Sequence, residues 1–196
     1  MILDMSMENK LFLVAIPRGR LLSVASSIQR KLNEIFDIYD EKLPPLHVTI
    51  DHLTINNQDE YDKAVQIIEN ICHSKPPFNL QVNGFSFFGP PHKSINLYVE
   101  KTTQLQDLSL EIHEALEQEG LSSRPIYNEW EYHISLINTT FALREWSETE
   151  FTKAKELVKE WNVNMSCKVE WLELWKPKFQ PHLEIEEFFT LGKGEN

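Results

Sequence analysis

The residues of this chain best suited to chemistry are two short triplets that each carry a histidine and a hydroxyl residue two positions apart. The first is His-Val-Thr at residues 47–49, and the second is His-Ile-Ser at residues 133–135. An aliphatic residue follows each triplet, and this alternation of polar and apolar types predicts a β-strand with one buried face. Side chains at i and i+2 of a strand point to the same face. Each triplet therefore offers one proton-transfer group and one hydroxyl donor to the same pocket.

Two such strands facing each other would give a pair of imidazoles flanked by two hydroxyls. An imidazole has an unperturbed pKa of about 6.5, so it acts as an acid or a base near neutral pH. Two imidazoles in opposite protonation states take a proton from water on one side of a phosphodiester and give one to the leaving oxygen on the other. The hydroxyls donate to the non-bridging oxygens where negative charge develops. This set of groups is suited to phosphodiester cleavage without a metal.

Two further triplets match the bare pattern but have different surroundings. His52 lies at odd spacing from His47, so on one continuous strand we expect it to face the opposite side. His92 is followed by a lysine and comes directly after Gly-Pro-Pro at residues 89–91, which indicates a turn. We expect surface or loop roles for the histidines outside the two triplets, with His92 the best placed to reach the pocket: His52, His73, His92, His113 and His182.

Length and composition predict a single domain, residues 1–196, with an ordinary hydrophobic core. The chain has 196 residues, of which 41% are hydrophobic. Cys72 and Cys167 are far apart and lack metal-ligand spacing, which is typical of reduced thiols in a cytoplasmic protein. Residues 1–8 contain neither a basic segment nor a long apolar run, so we expect no signal peptide and no membrane anchor. We expect a monomer that uses no cofactor and no metal.

The charge of the chain bears on its partners. The formal net charge is −11, and no basic stripe is visible. Proteins that bind long nucleic acids need such a stripe, because neutralising the phosphates supplies most of the non-specific affinity. We therefore expect no duplex DNA partner. An acidic chain is compatible with a small nucleotide, or with an RNA end, held in a locally positive pocket.

The order of predicted elements repeats along the chain. His47 and His133 are 86 residues apart, and shifting each early element by about that length reaches a late element of the same type. This is typical of an internal duplication, although the residue identities hardly match. We predict pseudo-symmetric halves at about 10–90 and 94–191. The predicted strands are residues 11–16, 46–50, 78–88, 95–99, 132–137, 165–175 and 182–191, and helices are predicted around residues 21–35, 59–71, 105–116 and 151–161.

Four segments in this order resemble the two-histidine (2H) phosphoesterase superfamily, in particular its 2′-5′ RNA ligase-like or RNA 2′,3′-cyclic phosphodiesterase branch. They are LFLVAIP at residues 11–17, PPLHVTI at 44–50, YHISL at 132–136 and VEWLELWK at 169–176. The resemblance covers about residues 10 to 190. It implies an α+β fold, a bilobal duplicated strand–helix–strand–helix domain with antiparallel sheets lining a central cleft.

The resemblance also implies an activity and roles for the four triplet residues. His47 and His133 would be the general acid and base, and Thr49 and Ser135 would hold the phosphate oxygens. The implied reaction is hydrolysis of a 2′,3′-cyclic phosphate, on an RNA end or a nucleotide, commonly to a 2′-phosphate. Ligation to a 2′-5′ bond would be the reverse direction of the same chemistry.

The chain departs from the superfamily around the second triplet. Many relatives have proline before the second histidine and arginine soon after it, whereas here residues 130–132 read Trp-Glu-Tyr and residues 138–140 read Asn-Thr-Thr. Positive charge for the phosphate must therefore come from elsewhere in the chain. The candidates for phosphate support are Arg18, Lys93 and Arg124, with Arg20 and Lys176 also considered. Trp130 and Tyr132 are candidates for stacking a base, as aromatic residues do in proteins that bind single strands.

Two other functions remain open at this point. The first is hydrolysis of another small cyclic phosphate, such as an ADP-ribose cyclic phosphate, which the acidic composition modestly favours. The second is a non-catalytic module that binds nucleotides or RNA ends. The intact pair of histidines argues against the second function, because binding alone does not require both imidazoles.

Overall fold

The computed structural model describes residues 9–40, 42–124, 130–139, 142–177 and 183–192. Within these ranges the chain forms eight strands and four helices. In chain order they are β1 (Lys10–Ala15), α1 (Gly19–Phe36), β2 (Val48–Thr54), α2 (Gln58–Ser74), β3 (Phe78–Phe88), β4 (Ser94–Val99), α3 (Thr103–Gln118), β5 (His133–Ile137), α4 (Glu148–Lys159), β6 (Asn164–Val169), β7 (Trp171–Pro177) and β8 (Leu183–Thr190). None of the helices in the described ranges is long and apolar enough to cross a membrane.

All paired strands are antiparallel and form one curled sheet in the order β6-β3-β4-β5-β2-β1-β7-β8. The central pair, β2 and β5, is joined by a single registered pair of residues, so the sheet consists of two four-stranded halves. Helices α2 and α3 pack on the half that contains β2 and β8, and helices α1 and α4 pack on the half that contains β5 and β6. The predicted α+β fold with two antiparallel halves is confirmed.

The duplication is visible in the spacing of the elements. Strand β1 begins at residue 10 and β4 at residue 94, and helix α1 begins at residue 19 and α3 at residue 103, a spacing of 84 in both cases. Strand β2 begins at residue 48 and β5 at residue 133, a spacing of 85. The two histidine triplets therefore occupy equivalent positions in the two halves.

Local sequence signals set where the helices begin and end. The side chains of Asn57 and Thr102 accept hydrogen bonds from backbone N–H groups in the first turns of α2 and α3. Helix α4 begins with a reciprocal capping box, in which Ser147 and Glu150 bond each other's backbone N–H groups. Gly120 follows α3 with φ +70°, a conformation that glycine adopts without steric cost.

The predicted single strand over residues 165–175 is wrong, because two strands occupy it. Strand β6 lies at one edge of the sheet beside β3, and β7 lies beside β1 in the other half, with Glu170 alone between them. Their burial differs accordingly: alternate residues of β6 are exposed, whereas residues 172–175 of β7 are buried in succession. An acidic residue in an extended backbone gives no turn signal, so the pattern reads as continuous.

Candidate active site

The two histidine triplets meet at the junction of the two half-sheets. Val48 of β2 lies opposite Ile134 of β5 in the antiparallel pairing. Both of these side chains are fully buried in the hydrophobic core. Because side chains alternate along a strand, the residues on either side of Val48 and Ile134 face the opposite surface of the sheet, which we call the cleft face.

Extending this register by one residue in each direction places all four triplet residues together on the cleft face. His47 lies opposite Ser135, and Thr49 lies opposite His133. Directly opposed residues have Cβ atoms about 4.5–5.5 Å apart, and diagonal neighbours such as the two histidines are about 7–8 Å apart. The four side chains therefore lie next to one another on the cleft face, as direct or diagonal neighbours.

The two imidazoles are held by the same local hydrogen bond. The Nδ1 atom of His47 lies 2.9 Å from the carbonyl oxygen of Pro45, and the Nδ1 atom of His133 lies 2.9 Å from that of Glu131. Since a carbonyl oxygen only accepts, Nδ1 carries the donated hydrogen in both rings, and this assigns the tautomer. Each ring is thus left with Nε2 as the atom available for proton exchange.

Burial lowers the pKa of both histidines below the ordinary value of 6.5. The carbonyl contacts at Nδ1 raise each pKa in part, and the neighbouring charge of His133 lowers that of His47 further. The ring of His47 packs 4.8 Å from that of Trp175, and the ring of His133 packs edge-on, 4.8 Å from Phe88. These aromatic surroundings favour the neutral form of both imidazoles in the absence of a bound anion.

A buried amide holds the hydroxyl of Ser135. Asn96 lies opposite Ser135 in the β4–β5 pairing and is fully buried. Its Oδ1 accepts a hydrogen bond of 3.1 Å from the Ser135 Oγ, while its Nδ2 donates to the Ser94 Oγ at 3.0 Å. If the Asn96 side-chain amide rotated by half a turn, its Nδ2 would donate to the Ser135 Oγ. The Ser135 proton would then be free for a phosphate oxygen.

A β-bulge follows each hydroxyl residue. In the β1–β2 pairing, Thr49 and Asp51 face successive residues of β1, so Ile50 is the extra residue. In the β4–β5 pairing, Ser135 and Ile137 face successive residues of β4 in the same way. A bulge shifts the alternation of side chains by one residue. The duplication therefore extends beyond the triplets to the backbone that follows them.

The bulge in β2 brings His52 to the cleft face, so the expectation that His52 faces the opposite side is wrong. Its ring lies 4.7 Å from Phe12 and 5.3 Å from Trp130, both edge-on. The indole Nε1 of Trp130 in turn donates to the Thr49 carbonyl at 3.4 Å. Sequence reasoning missed His52 because strict alternation assumes a regular strand, and the bulge has no local signature among residues 47–54.

A buried polar cluster, which we call the Asp51 cluster, lies beneath this bulge. The Asp51 carboxylate is fully buried and accepts hydrogen bonds from the Ser122 Oγ at 2.8 Å and from the His52 backbone N–H at 2.7 Å. Its other oxygen lies 2.9 Å from the Nδ1 of His113. Burial raises the pKa of Asp51, while the charge of Arg124 and the bonds from Ser122 and His113 lower it in part. The expected surface role of His113 is wrong, because its ring is buried beneath β2.

Arg124 completes the Asp51 cluster. The guanidinium Nη1 donates to the Ile50 carbonyl at 2.6 Å and to the Ser109 Oγ at 2.7 Å, and its Nε lies 3.9 Å from Asp51. The Ile50 carbonyl belongs to the bulged residue itself. The cluster thus fixes the backbone from which Thr49 and His52 project.

Comparison with known proteins identifies the family of this chain. The family model of the 2′-5′ RNA ligase superfamily matches residues 22–181. The chain belongs to this superfamily. The resemblance seen in the sequence to the two-histidine phosphoesterases is therefore confirmed.

The individual proteins that this chain resembles are only distantly similar to it in sequence. "Putative phosphoesterase OB1230" of Oceanobacillus iheyensis is 29% identical over 98 residues, which are 49% of this chain and 58% of the relative. TT0787 of Thermus thermophilus aligns with a TM-score of 0.70 at 17% identity, covering 95% of this chain and all of the other. Escherichia coli LigT in apo form aligns with a TM-score of 0.61 at 13% identity, covering 94% and 98%. At these identities the structural likeness shows the fold.

The cations considered for phosphate support have other contacts in this superfamily member. The guanidinium of Arg18 lies 3.1 Å above the ring of Trp171. Lys93 donates to the Trp146 carbonyl at 3.3 Å. Arg124 is 6% exposed and is bound within the Asp51 cluster, so it acts on the bulge rather than on an open pocket.

Two further lysines lie on strands of the half-sheet that contains β2. Lys176 lies in β7 opposite Glu184 in the β7–β8 pairing. Lys10 precedes Phe12 by two residues on β1, and its positive charge lowers the pKa of His52. Sequence reasoning missed Lys10 because only the pairing of β1 with β2 brings it to this face. Arg20, also considered for the phosphate, is exposed near the start of α1.

The two aromatic candidates for base stacking are separated by the sheet. Trp130 is partly buried and contacts His52 on the cleft face. Tyr132 is 2% exposed and belongs to the hydrophobic core, so its ring has no face open to a base. Trp130 is therefore the stacking candidate that we retain. Within the described ranges, no group of three His, Cys, Asp or Glu residues is placed to hold a metal ion.

Proposed function

We propose that this chain is a metal-independent phosphodiesterase that hydrolyses 2′,3′-cyclic phosphates on nucleotides or RNA ends. The observation that carries the proposal is the matched pair of His47 and His133, each bonded at Nδ1 to a backbone carbonyl and each with Nε2 left for proton exchange. Crystal structures of Escherichia coli LigT complexed with 3′-AMP and with ATP support a nucleotide ligand for this fold. We propose that the protein acts in the cytoplasm as a monomer.

In this mechanism a water oxygen attacks the phosphorus, and the Nε2 of one neutral histidine takes the proton of that water. The bond from phosphorus to the 3′-oxygen breaks, and the other histidine, as imidazolium, gives its proton to that oxygen. The product is a 2′-phosphate. Thr49 and Ser135 donate hydrogen bonds to the non-bridging oxygens as charge develops. With a 5′-hydroxyl in place of the attacking water, the same groups would form a 2′-5′ bond: one histidine takes the proton of that hydroxyl, and the 3′-oxygen leaves with the proton of the other.

The first test is turnover of a panel of cyclic phosphates by the purified protein in the presence of a chelator. The panel contains the four 2′,3′-cyclic nucleotides, an RNA ending in a cyclic phosphate, and an ADP-ribose cyclic phosphate. We expect turnover of the nucleotides or of the RNA end to a 2′-phosphate, identified by phosphorus NMR. Turnover of the ADP-ribose compound alone would replace the proposed substrate, and tight binding without turnover would favour a binding module. Loss of activity on chelation would contradict the metal-independent mechanism.

The pH dependence of kcat/KM follows from the two lowered pKa values. This ratio reports the free enzyme, in which one histidine must be neutral and the other protonated. Because burial lowers the pKa of both His47 and His133 below 6.5, both limbs of the bell-shaped profile are expected below that pH. The limbs belong to the coupled pair rather than to either residue. We therefore expect kcat/KM to fall as the pH rises above 6.5.

The profile of kcat provides the contrast. A bound phosphate anion favours the imidazolium form, so the kcat profile is expected to lie at higher pH than the kcat/KM profile. Both are measured from initial rates at constant ionic strength, with one cyclic nucleotide. A kcat/KM that rises steadily from pH 6.5 to about pH 8 would contradict the lowered pKa values.

A further inference from the structure

The cleft face continues beyond the four triplet residues. Along β2 and β5, one cross-strand pair is His47 with Ser135 and the next is Thr49 with His133. Because of the bulge, His52 is the next residue of β2 on this face. Because the bulge adds one residue to β2, the step from Thr49 to His52 corresponds to two residues of β1, from Val14 to Phe12. Two residues of a strand span about 6–7 Å, which is about the size of a ribose ring with its attached bonds. A substrate with its phosphate between the histidines would thus reach His52 with the group attached to its sugar.

Three rings meet at this position. Phe12 lies directly opposite His52 in the β1–β2 pairing, and their ring centroids are 4.7 Å apart. Trp130 lies on the other side of His52, with a centroid distance of 5.3 Å. Its indole is fixed by the hydrogen bond to the Thr49 carbonyl. All three side chains are only partly buried, so they form an aromatic wall that begins beside the triplet hydroxyl.

The His52 ring is uncharged at neutral pH. Burial lowers its pKa to about 4, and the positive charges of Lys10, Arg124, His47 and His133 contribute in that order. An imidazole with so low a pKa is a weak base, and its neutral form carries no charge to attract a second phosphate. Its contacts with a substrate are those of a planar, weakly polar ring.

The bulge that turns His52 toward the cleft is maintained by groups that are costly to bury. The carboxylate of Asp51 is fully buried and the guanidinium of Arg124 is 6% exposed, and both are used to hold residues 50–52. Burying charged groups is unfavourable unless they are paired, and apolar residues of similar size often stabilise a core as well or better. Packing alone therefore does not account for this arrangement, and bulges near active sites redirect side chains.

We infer that Phe12, His52 and Trp130 form a subsite for the nucleobase of the substrate. This inference rests on the proposed function, because it places the phosphate between the two triplets. Stacking of a base on aromatic rings tolerates all four bases, since each has a planar face. The subsite therefore confers preference for nucleotides over cyclic phosphates that lack a base, without selecting one base.

The experiment compares ligands with and without a base. Binding of 2′-AMP and of ribose 2-phosphate is measured by calorimetry, and turnover is measured with 2′,3′-cyclic AMP and methyl riboside 2,3-cyclic phosphate. The ratio of the two affinities measures the contribution of the base to binding. A smaller fraction of folded protein affects both affinities equally and leaves the ratio unchanged. In the wild type we expect 2′-AMP to bind roughly tenfold or more tightly than ribose 2-phosphate.

His52→Ala and Trp130→Ala are expected to remove most of this preference, whereas His52→Phe, which keeps a ring, retains it. His73→Ala serves as the matched control, because His73 is exposed in the last turn of α2, a helix that carries none of the residues of the cleft face. A preference unchanged in both alanine variants would overturn the subsite even if turnover is normal. A preference that depends on His52 and Trp130 supports the subsite, and if no cyclic phosphate is turned over in that case, the proposed function alone fails.

Discussion

Replacement of His47 or of His133 by asparagine is expected to lower kcat by roughly 10²–10⁴-fold on a 2′,3′-cyclic nucleotide. This is the range that a positioned acid or base contributes. Asparagine offers an amide near the position of the imidazole Nδ1, so the hydrogen bond to the carbonyl of Pro45 or Glu131 can be kept. It has no group at the position of Nε2 that exchanges protons at neutral pH. The loss therefore reports proton transfer rather than a changed strand.

The double variant distinguishes a cooperating pair from two separate contributions. Groups that act as a unit are non-additive, so the double variant is expected to be about as slow as the slower single variant. His73→Asn is the control, since it changes an exposed histidine in the last turn of α2 and leaves both triplets intact. The measurements are single-turnover rates together with thermal unfolding of each variant. Normal turnover in either single variant, with the protein folded, would refute the paired-histidine mechanism.

The sequence was sufficient to predict those features that depend on residues close together in the chain. Ser147 and Glu150 predict the start of α4 because a capping box is complete within four residues. The triplets predict that His47 and Thr49 share a face because a strand has a period of two. To predict that the two triplets pair with each other, the repeated order of elements was also needed. Only a spacing repeated over both halves relates residues that are 86 positions apart.

Features that depend on pairing between distant strands could not be predicted in this way. His52 reaches the cleft face because β1 pairs with β2 out of step after Thr49, and this register is a property of two strands. Arg124 is candidate phosphate support on charge alone, but its position beside Ile50 and Ser109 is set by packing of α3 beneath β2. A charged residue in a sequence does not reveal whether it meets a ligand or a buried carboxylate.

Each half-sheet has a bulge after its hydroxyl residue, but different contacts hold the residues that follow the two bulges. After the bulge in β2 the inward residue is Asp51, which is held by a polar cluster. After the bulge in β5 the inward residue is Ile137, which is buried in the apolar core. The backbone of Asn138 is bonded there by the Tyr39 hydroxyl, which accepts from its N–H and donates to its carbonyl. The cleft face is therefore symmetric at the two triplets and asymmetric beyond them, so a substrate bound as proposed would have a defined direction.

The Asp51 cluster gives the largest expected effect on stability. Asp51→Ala is expected to lower the free energy of unfolding by about 3–5 kcal/mol, the usual result of removing one partner from a buried charged pair. Burial of Asp51 is itself unfavourable, as its raised pKa indicates, so the loss arises from the groups left behind. The Arg124 guanidinium would lose its buried counter-charge, and Ser122 and the His52 backbone N–H would lose their acceptor.

Urea unfolding followed by tryptophan fluorescence measures this loss. Glu170→Gln is the matched control, because it removes a carboxylate from the exposed ion pair with Lys168 and is expected to change stability by about 1 kcal/mol or less. Asp51→Asn keeps an acceptor for Ser122, so its loss should lie between those of the other two variants. If Asp51→Ala were as stable as the control, the Asp51 cluster would not hold the bulge. Since Thr49 and His52 project from the two sides of that bulge, the same variant is expected to weaken binding of 2′-AMP more than the control does.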